Sequence, residues 1–538
     1  VLEVDRFTPL ATIMLAKAQT HIVLGVDSHP VVVEVHVSGA TKDTKPVFIM
    51  AGLPEAAVKE SKERIRAAMM TGGFPMVKDH VTVNLAPAEL RKESAGLDLP
   101  IALALMTAIG QVKSDALQKR SVIGELGLDG SVRGVAGTLA MALGARQAGH
   151  REILVPAENA AEAAVASDIG VIPIDCLRTA VHYLNGAKDL QAAKHQSWHQ
   201  DATAAEENLD FSDVRGQENA KRALEIAAAG GHNALLVGPP GSGKTMLAKR
   251  LPTILPMLTP EECIEATKIH SVAGMTQGGH NLIRSRPFRA PHHTASHISL
   301  VGGGLIPRPG EVSLAHHGVL YLDEMPEFSR PVLEVLRQPL EDGAVTVARA
   351  SMTLTFPARF ILVGSMNPCP CGYSGDFARP CTCAPQTVEK YRARISGPLL
   401  DRIDLHVDVA AVPVAELAKR RQGHPPGEPS KVVRARVEKA RVRQRARYKE
   451  VKDVFCNAHL SGRDLRRFTP MTDEAAETLT MSMERLGLSA RAFDRIIKVA
   501  RTIADLDGRD MIETNDVGEA VGYRTLDRQL FGSGGGGR

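Results

Sequence analysis

Tryptophan occurs once in the 538 residues, at Trp198, and all aromatic residues together make up 4%. No apolar run approaches the roughly 20 residues that span a bilayer, so no membrane-spanning segment is expected. The opening stretch, Val1–Arg6, lacks the basic-then-apolar layout of a signal peptide, and a cytoplasmic location is the expectation. Seven cysteines are too few in so long a chain for a disulfide framework, and four of them fall within Cys369–Cys383. A net charge of +4 excludes a globally basic surface, so any nucleic-acid surface must be local. What is present is ordinary for a soluble globular protein, with 44% hydrophobic and 23% charged residues. The length exceeds one core, and roughly three domains are expected.

The strongest signal is the run Gly238, Pro239, Pro240, Gly241, Ser242, Gly243, Lys244 and Thr245. It has the G-x-x-x-x-G-K-[ST] spacing of a phosphate-binding loop. The apolar run 234–237 precedes it as a buried strand should, and Met246–Leu251 reads as the start of a helix. Backbone N–H groups and the helix N-terminus can cradle a β-phosphate, with Lys244 reaching the β/γ-phosphates and Thr245 holding Mg²⁺. A second apolar strand, Gly318–Leu322, ends in Asp323 and Glu324. Asp323 suits the Mg²⁺ shell and Glu324 suits the general base that polarises an attacking water. A third, Arg359–Met366, ends in Asn367. The combination predicts ATP hydrolysis on a parallel-sheet core.

The first domain, 14–185, mixes strands at 31–37, 46–50 and 80–84 with helices over Glu55–Met70 and Leu99–Ile109. Within it Lys92–Pro100 and Gly124–Gly134 resemble the Lon-type protease fold (ribosomal S5 domain 2-like). Ser94-Ala95-Gly96 is similar to the segment that holds that family's nucleophile. Where the family has its lysine, this chain has Thr138 or Leu139. A serine without a base is not activated, so the resemblance implies the fold and argues against proteolysis.

Residues 186–207 read as a polar linker, and 208–420 as the ATPase core. Phe211–Leu224 resembles the segment that lies near the adenine in AAA+ ATPases. Arg286–Ser296, Leu300–Gly310, Glu311–Gly318 and Asn367–Gly372 together resemble the magnesium-chelatase-like AAA+ family, within it the ComM (YifB-type) group, over about Met14–Phe531. The resemblance implies that Asn367 orients water against the γ-phosphate. It makes Arg402 the finger onto a neighbouring subunit's nucleotide, with Arg392 and Arg394 as competitors, and Arg491 the sensor arginine, in its own subunit or the next. It further implies a ring, expected to be hexameric, that moves single-stranded and branched DNA and drives branch migration in natural transformation. A hairpin over Leu340–Arg349, turning at Asp342-Gly343, and the insert before the acid-bearing strand place Arg349 and Arg308 as DNA contacts by analogy. Two alternatives stand beside this reading. One is a chelatase motor inserting metal into a porphyrin, and the other is an ATP-dependent Lon-like protease.

Cys369, Cys371, Cys381 and Cys383 form C-x-C…C-x-C, a set of four thiolates that suits tetrahedral Zn²⁺, against a reading as free buried cysteines. His292-His293 and His316-His317 are expected to pack or hydrogen-bond, because neighbours on a strand face opposite ways. Residues 421–430 form a second linker and 431–531 a helical lid, while 532–538 read as an appended glycine-rich tail. The stretch Lys431–Lys449 carries nine basic residues against Glu438, and Arg434, Arg441 and Arg445 are expected to contact phosphates. Its only aromatic is Tyr448, so base stacking is not expected there.

Overall fold

A computed structural model describes residues 15–38, 46–52, 60–90, 92, 95–195, 209–276, 282–304, 307–349, 352–375, 379–411 and 427–526. Ser94, Trp198, most of the first linker, residues 421–426 and the tail 532–538 lie outside the described residues. The chain divides into two compact units. One is Val1–Gln200 with Pro260–Ile283, and the other is Asp201–Thr259 with Arg284–Arg538.

The first unit is built on a seven-stranded mixed sheet in the order 48–51, 80–86, 27–38, 15–24, 120–122, 152–156, 170–174. In Asp27–Ser38 the valines at 31, 33, 35 and 37 are buried while the residues between them are not, the period-two signature of a strand with one face on a core. The helix Asp98–Ala108 is buried on every side, which is why it shows no polar stripe. Thr138 and Leu139 open the helix Thr138–Gln147, with the Thr138 hydroxyl donating to the Val135 carbonyl at 2.9 Å.

Within the stretch 208–420, Pro260–Ile283 groups with the first unit. The reason is a buried carboxylate. Glu162 accepts hydrogen bonds from the Leu139 backbone at 2.9 Å, from the Thr276 hydroxyl at 3.0 Å and from the Ser271 hydroxyl. Ile264 and Leu282 of the same segment pack against the apolar cluster of Leu139, Ile153 and Val171. A carboxyl group this deep needs hydrogen-bond partners, so Ser271 and Thr276 are fixed by Glu162 as well as by apolar burial.

The second unit carries a five-stranded, all-parallel sheet in the order Phe288–Arg289, Val319–Leu322, Ile361–Met366, Ala234–Val237, Leu405–Asp408. The three central strands are completely buried, as expected of parallel strands covered on both faces. Helices Ser430–Arg447, Gly462–Phe468, Asp473–Leu486, Ala490–Leu506 and Thr514–Gly522 form the helical C-terminal region. It is continuous with the sheet: Leu236, Val319 and Val363 share one apolar core with Val433, Ile496 and Ile503. Thr472 and Ser489 cap two of these helices, accepting from the backbone N–H groups of Ala475 and Ala492.

Two expectations are corrected here. Asp342-Gly343 is not a hairpin turn. It ends the helix Arg337–Asp342, with Gly343 left-handed at φ +65°, and the hairpin pairs Ala344–Arg349 with Met352–Pro357 around residues outside the description. The paired histidines do not lie on strands with opposed side chains either. The rings of His292 and His293 are 4.1 Å apart and those of His316 and His317 are 3.9 Å apart, because both pairs sit in irregular backbone. The packing and hydrogen bonding expected of these histidines are both observed: His293 meets the Phe328 ring edge-on, and His316 Nδ1 accepts from the Arg359 backbone at 3.0 Å.

Candidate nucleotide site

Three neighbouring parallel strands end at the same edge of the sheet, so whatever follows each of them converges there. Ala234–Val237 leads into the phosphate loop, Val319–Leu322 into Asp323 and Glu324, and Ile361–Met366 into Asn367. Gly243, left-handed at φ +91°, turns the loop into the helix Lys244–Ile254. The buried Lys244 donates through its ammonium to the carbonyls of Gly238 at 2.7 Å and Pro239 at 2.9 Å, and to Asn367 Oδ1 at 3.1 Å. Burial holds its pKa below the usual lysine value, with Asp323 and Glu324 opposing that shift.

Thr245 and Asp323 are joined directly: the Thr245 hydroxyl donates to Asp323 Oδ2 at 2.9 Å. Two residues unnoticed in the sequence complete the arrangement. Tyr321 donates to the Thr245 hydroxyl at 3.1 Å, and Ser365 donates to Asp323 Oδ1 at 2.5 Å. Burial alone would raise Asp323, but hydrogen bonds from Ser365, Tyr321 and Thr245 keep it below the ordinary carboxylate value. A hydroxyl and an ionised carboxylate on adjacent strand ends form an oxygen donor set that fits Mg²⁺. Glu324 is exposed and left-handed at φ +49°, an uncommon conformation for a residue with a side chain. Its backbone N–H donates to Asp323 Oδ1 and Ser365 Oγ.

The arginines named from the sequence are placed as follows. Arg402 bonds to Glu341 and to the Pro398 carbonyl. Arg491 is exposed and lies 3.4 Å from Asp401, three residues before Asp404. Arg392 donates to the Pro368 carbonyl at 3.0 Å, and Arg394 pairs with Glu327 at 2.8 Å. Behind them lies a buried polar cluster absent from the sequence reading: Asp404 accepts from Arg495 at 2.7 Å and meets His232 at 3.0 Å.

The four cysteines come together. Their sulfurs all lie within 4.8 Å of one another, with separations of 3.3, 3.6 and 3.5 Å among Cys369, Cys371 and Cys381. Four sulfurs at about 2.3 Å from one ion lie about 3.8 Å apart, so the set fits a tetrahedral Zn²⁺. Backbone N–H groups of Tyr373 and Thr382 bring the Cys371 thiol down to about 5. The backbone of Cys383 pulls Cys381 down, yet burial and its thiol neighbours prevail and raise it to about 12. Thiols crowded in this way give up their protons together when a divalent cation binds them.

The basic helix is less free than its sequence suggests. Arg436 pairs with Glu225 and Glu428, Arg443 with Asp510, and Arg447 with Asp505. Arg434 donates to the Thr253 carbonyl at 2.8 Å and Arg441 to that of Ala228 at 3.0 Å, so both tie the helix to its own unit. Arg445 is exposed, as are Lys431, Lys439 and Lys449. Arg308 is exposed on a two-residue ribbon in which Gly302-Gly303 pairs with Arg308-Pro309, and Arg349 is paired through its backbone at the end of the hairpin.

Comparison with known proteins matches residues 210–417 to the family "Magnesium chelatase, subunit ChlI", 33–159 to "Subunit ChlI of Mg-chelatase" and 427–524 to its C-terminal region. YifB of Salmonella typhimurium and competence protein ComM of Haemophilus influenzae are each 43% identical over 518 residues, covering 96% of this chain and 98% of theirs. The chain belongs to the ComM/YifB-type, magnesium-chelatase-like family. The chloroplastic magnesium-chelatase subunit ChlI of Nicotiana tabacum is 26% identical over 216 residues, 40% of this chain and 43% of its own. As a ComM/YifB-type protein the chain is of the AAA+-related kind, an ATPase family that uses ATP and Mg²⁺. Among the described residues no helix is long and apolar enough to cross a membrane.

Proposed function

We propose that this chain is a ring-forming ATPase that couples hydrolysis to movement of DNA, including branch migration, in natural transformation or recombination. The observation that carries the reading is the convergence of two hydrogen-bonded pairs, Lys244–Asn367 and Thr245–Asp323, beside Glu324. The competence protein among its relatives supports the biological setting. In this scheme Lys244 exchanges its carbonyl acceptors for phosphate oxygens. Thr245 and Asp323 hold Mg²⁺, which supplies charge neutralisation to the phosphates. Glu324 takes the proton of the attacking water and Asn367 orients that water against the γ-phosphate. Arg402 reaches a neighbouring subunit's site, which requires a heterologous interface and hence a closed ring, hexameric in this proposal. Arg491 senses the γ-phosphate from the end of its helix.

DNA contacts are assigned to Arg308, Arg349, Arg434, Arg441 and Arg445. Zn²⁺ is assigned to Cys369, Cys371, Cys381 and Cys383. The first unit is read as a Lon-like fold without proteolysis, since Thr138 and Leu139 bring no amine. The test is ATP turnover with and without single-stranded and forked DNA across a salt series. DNA should raise turnover, and binding should weaken with a log–log slope of roughly −0.7 per phosphate contact on single strands. Absence of binding at low salt with ATP and Mg²⁺ would sink the DNA reading and leave the chelatase-type motor.

A further inference from the structure

The hexapeptide Asn367–Gly372 touches the phosphate loop at both of its ends. At the first, Asn367 Oδ1 accepts from the Lys244 ammonium at 3.1 Å. At the second, Gly372 lies so close to Pro240 that a Cβ on it would stand 2.4 Å from the proline Cδ. Cys369 and Cys371 sit between these two contacts. Their partners Cys381 and Cys383 lie just before the helix Pro385–Arg392. That helix reaches back to the same hexapeptide, because Arg392 donates to the Pro368 carbonyl at 3.0 Å. Cys369 is fully buried, and its sulfur accepts the Ser374 N–H at 3.3 Å. A metal on the four thiolates would therefore join the segment in contact with the phosphate loop to a helix anchored beside it.

We propose that the cysteine knuckle is a metal-dependent clamp on the nucleotide site. It sets the rate of hydrolysis by holding Asn367 against Lys244 and Gly372 against Pro240. The proposal rests on the ATPase and Zn²⁺ readings above, and Cys369–Cys383 and Gly372 are positioning residues in it. Without the metal the hexapeptide keeps the Arg392–Pro368 hydrogen bond to that helix but loses the thiolate link, and Asn367 is held less firmly. Catalytic geometry tolerates displacements of well under 1 Å, so turnover should suffer before nucleotide affinity does.

The experiment uses the full chain and three measurements: zinc content, affinity for a fluorescent ATP analogue, and ATP turnover. Cys381→Ser should lower zinc content and reduce kcat about tenfold or more, the usual effect of losing a supporting contact, while affinity changes by less. Stripping zinc from the wild type with a chelator should give the same split, and returning Zn²⁺ should restore the rate. A pair of glycine variants separates the clamp from mere unfolding. Gly372 and Gly375 are both left-handed, at φ +88° and +85°, but a Cβ on Gly375 meets nothing within 4 Å. Gly372→Ala should keep its zinc and lose turnover about tenfold, while Gly375→Ala, with the same backbone strain, stays near wild type. Purified protein without bound zinc would end the metal reading, whatever the rate. Zinc present, but turnover within twofold of wild type after its loss, would overturn the clamp and leave the zinc reading standing. Equal effects of the two glycine variants would also overturn it.

Discussion

Arg402 is ion-paired with Glu341, the penultimate residue of the helix that leads through Gly343 into the hairpin Ala344–Pro357. Its second hydrogen bond goes to the Pro398 carbonyl, one turn earlier in its own segment. An arginine that acts on a neighbouring subunit must exchange the first of these partners. Replacing Arg402 by Ala should reduce turnover on the order of 10³-fold with ATP binding kept, the scale of an arginine finger. Glu341→Gln removes only the competing partner and should leave turnover at or above the wild-type level. Steady-state ATPase assays separate the two. If Glu341→Gln copies Arg402→Ala, the pair is structural and Arg402 is no finger.

Glu324→Gln should bind ATP but lose hydrolysis by about 10²–10⁴-fold, because the base is gone while Lys244, Thr245 and Asp323 keep their contacts. Mixing it with Arg402→Ala protein should recover part of the rate, since a mixed ring pairs an intact Arg402 with an intact Glu324. Failure to recover at any mixing ratio would remove the intersubunit assignment.

Ser365 holds Asp323 from the neighbouring strand. Ser365→Ala should raise the Mg²⁺ concentration needed for half-maximal turnover by about tenfold or more, as loss of a supporting hydrogen bond usually does. A magnesium titration at saturating ATP reads the effect. An unchanged requirement would mean that Thr245 and the backbone orient Asp323 unaided.

Asp404 is buried, and burial alone would raise it, but Arg495 and His232 hold it well below its ordinary value. A carboxylate depressed in the folded state contributes stability above its unfolded pKa of about 3.9 and loses that contribution as pH falls toward the folded value. Part of the acid destabilisation below about pH 4 should therefore belong to Asp404. Asp404→Asn should lower stability at pH 7 by about 3–5 kcal/mol, because Arg495 is left without its charge partner, and should flatten the acid limb. Urea unfolding at several pH values tests both parts. A parallel shift of the whole profile would argue against the charge pair.

The sequence by itself determined which residues meet at the candidate nucleotide site. Lys244, Thr245, Asp323, Glu324 and Asn367 each lie at or just beyond the end of a short apolar run, and a buried parallel strand delivers its next residue to one edge of the sheet. The helical character of the C-terminal region was legible as well, and the structure caps two of its helices at Thr472 and Ser489. Tertiary structure decided the rest. Ser365 is one more small residue inside an apolar run until its strand lies beside the one that ends at Asp323. That Pro260–Ile283 groups with the first unit shows only when Glu162, more than a hundred residues earlier, takes the hydroxyls of Ser271 and Thr276. The basic helix shows most clearly why. Sequence counts formal charges, but whether a guanidinium is available to a phosphate depends on partners such as Asp505, 58 residues from Arg447, and Glu225, 211 residues from Arg436. Those distances close only when the chain folds, because hydrophobic burial of the lid against the sheet brings the charges within reach of each other.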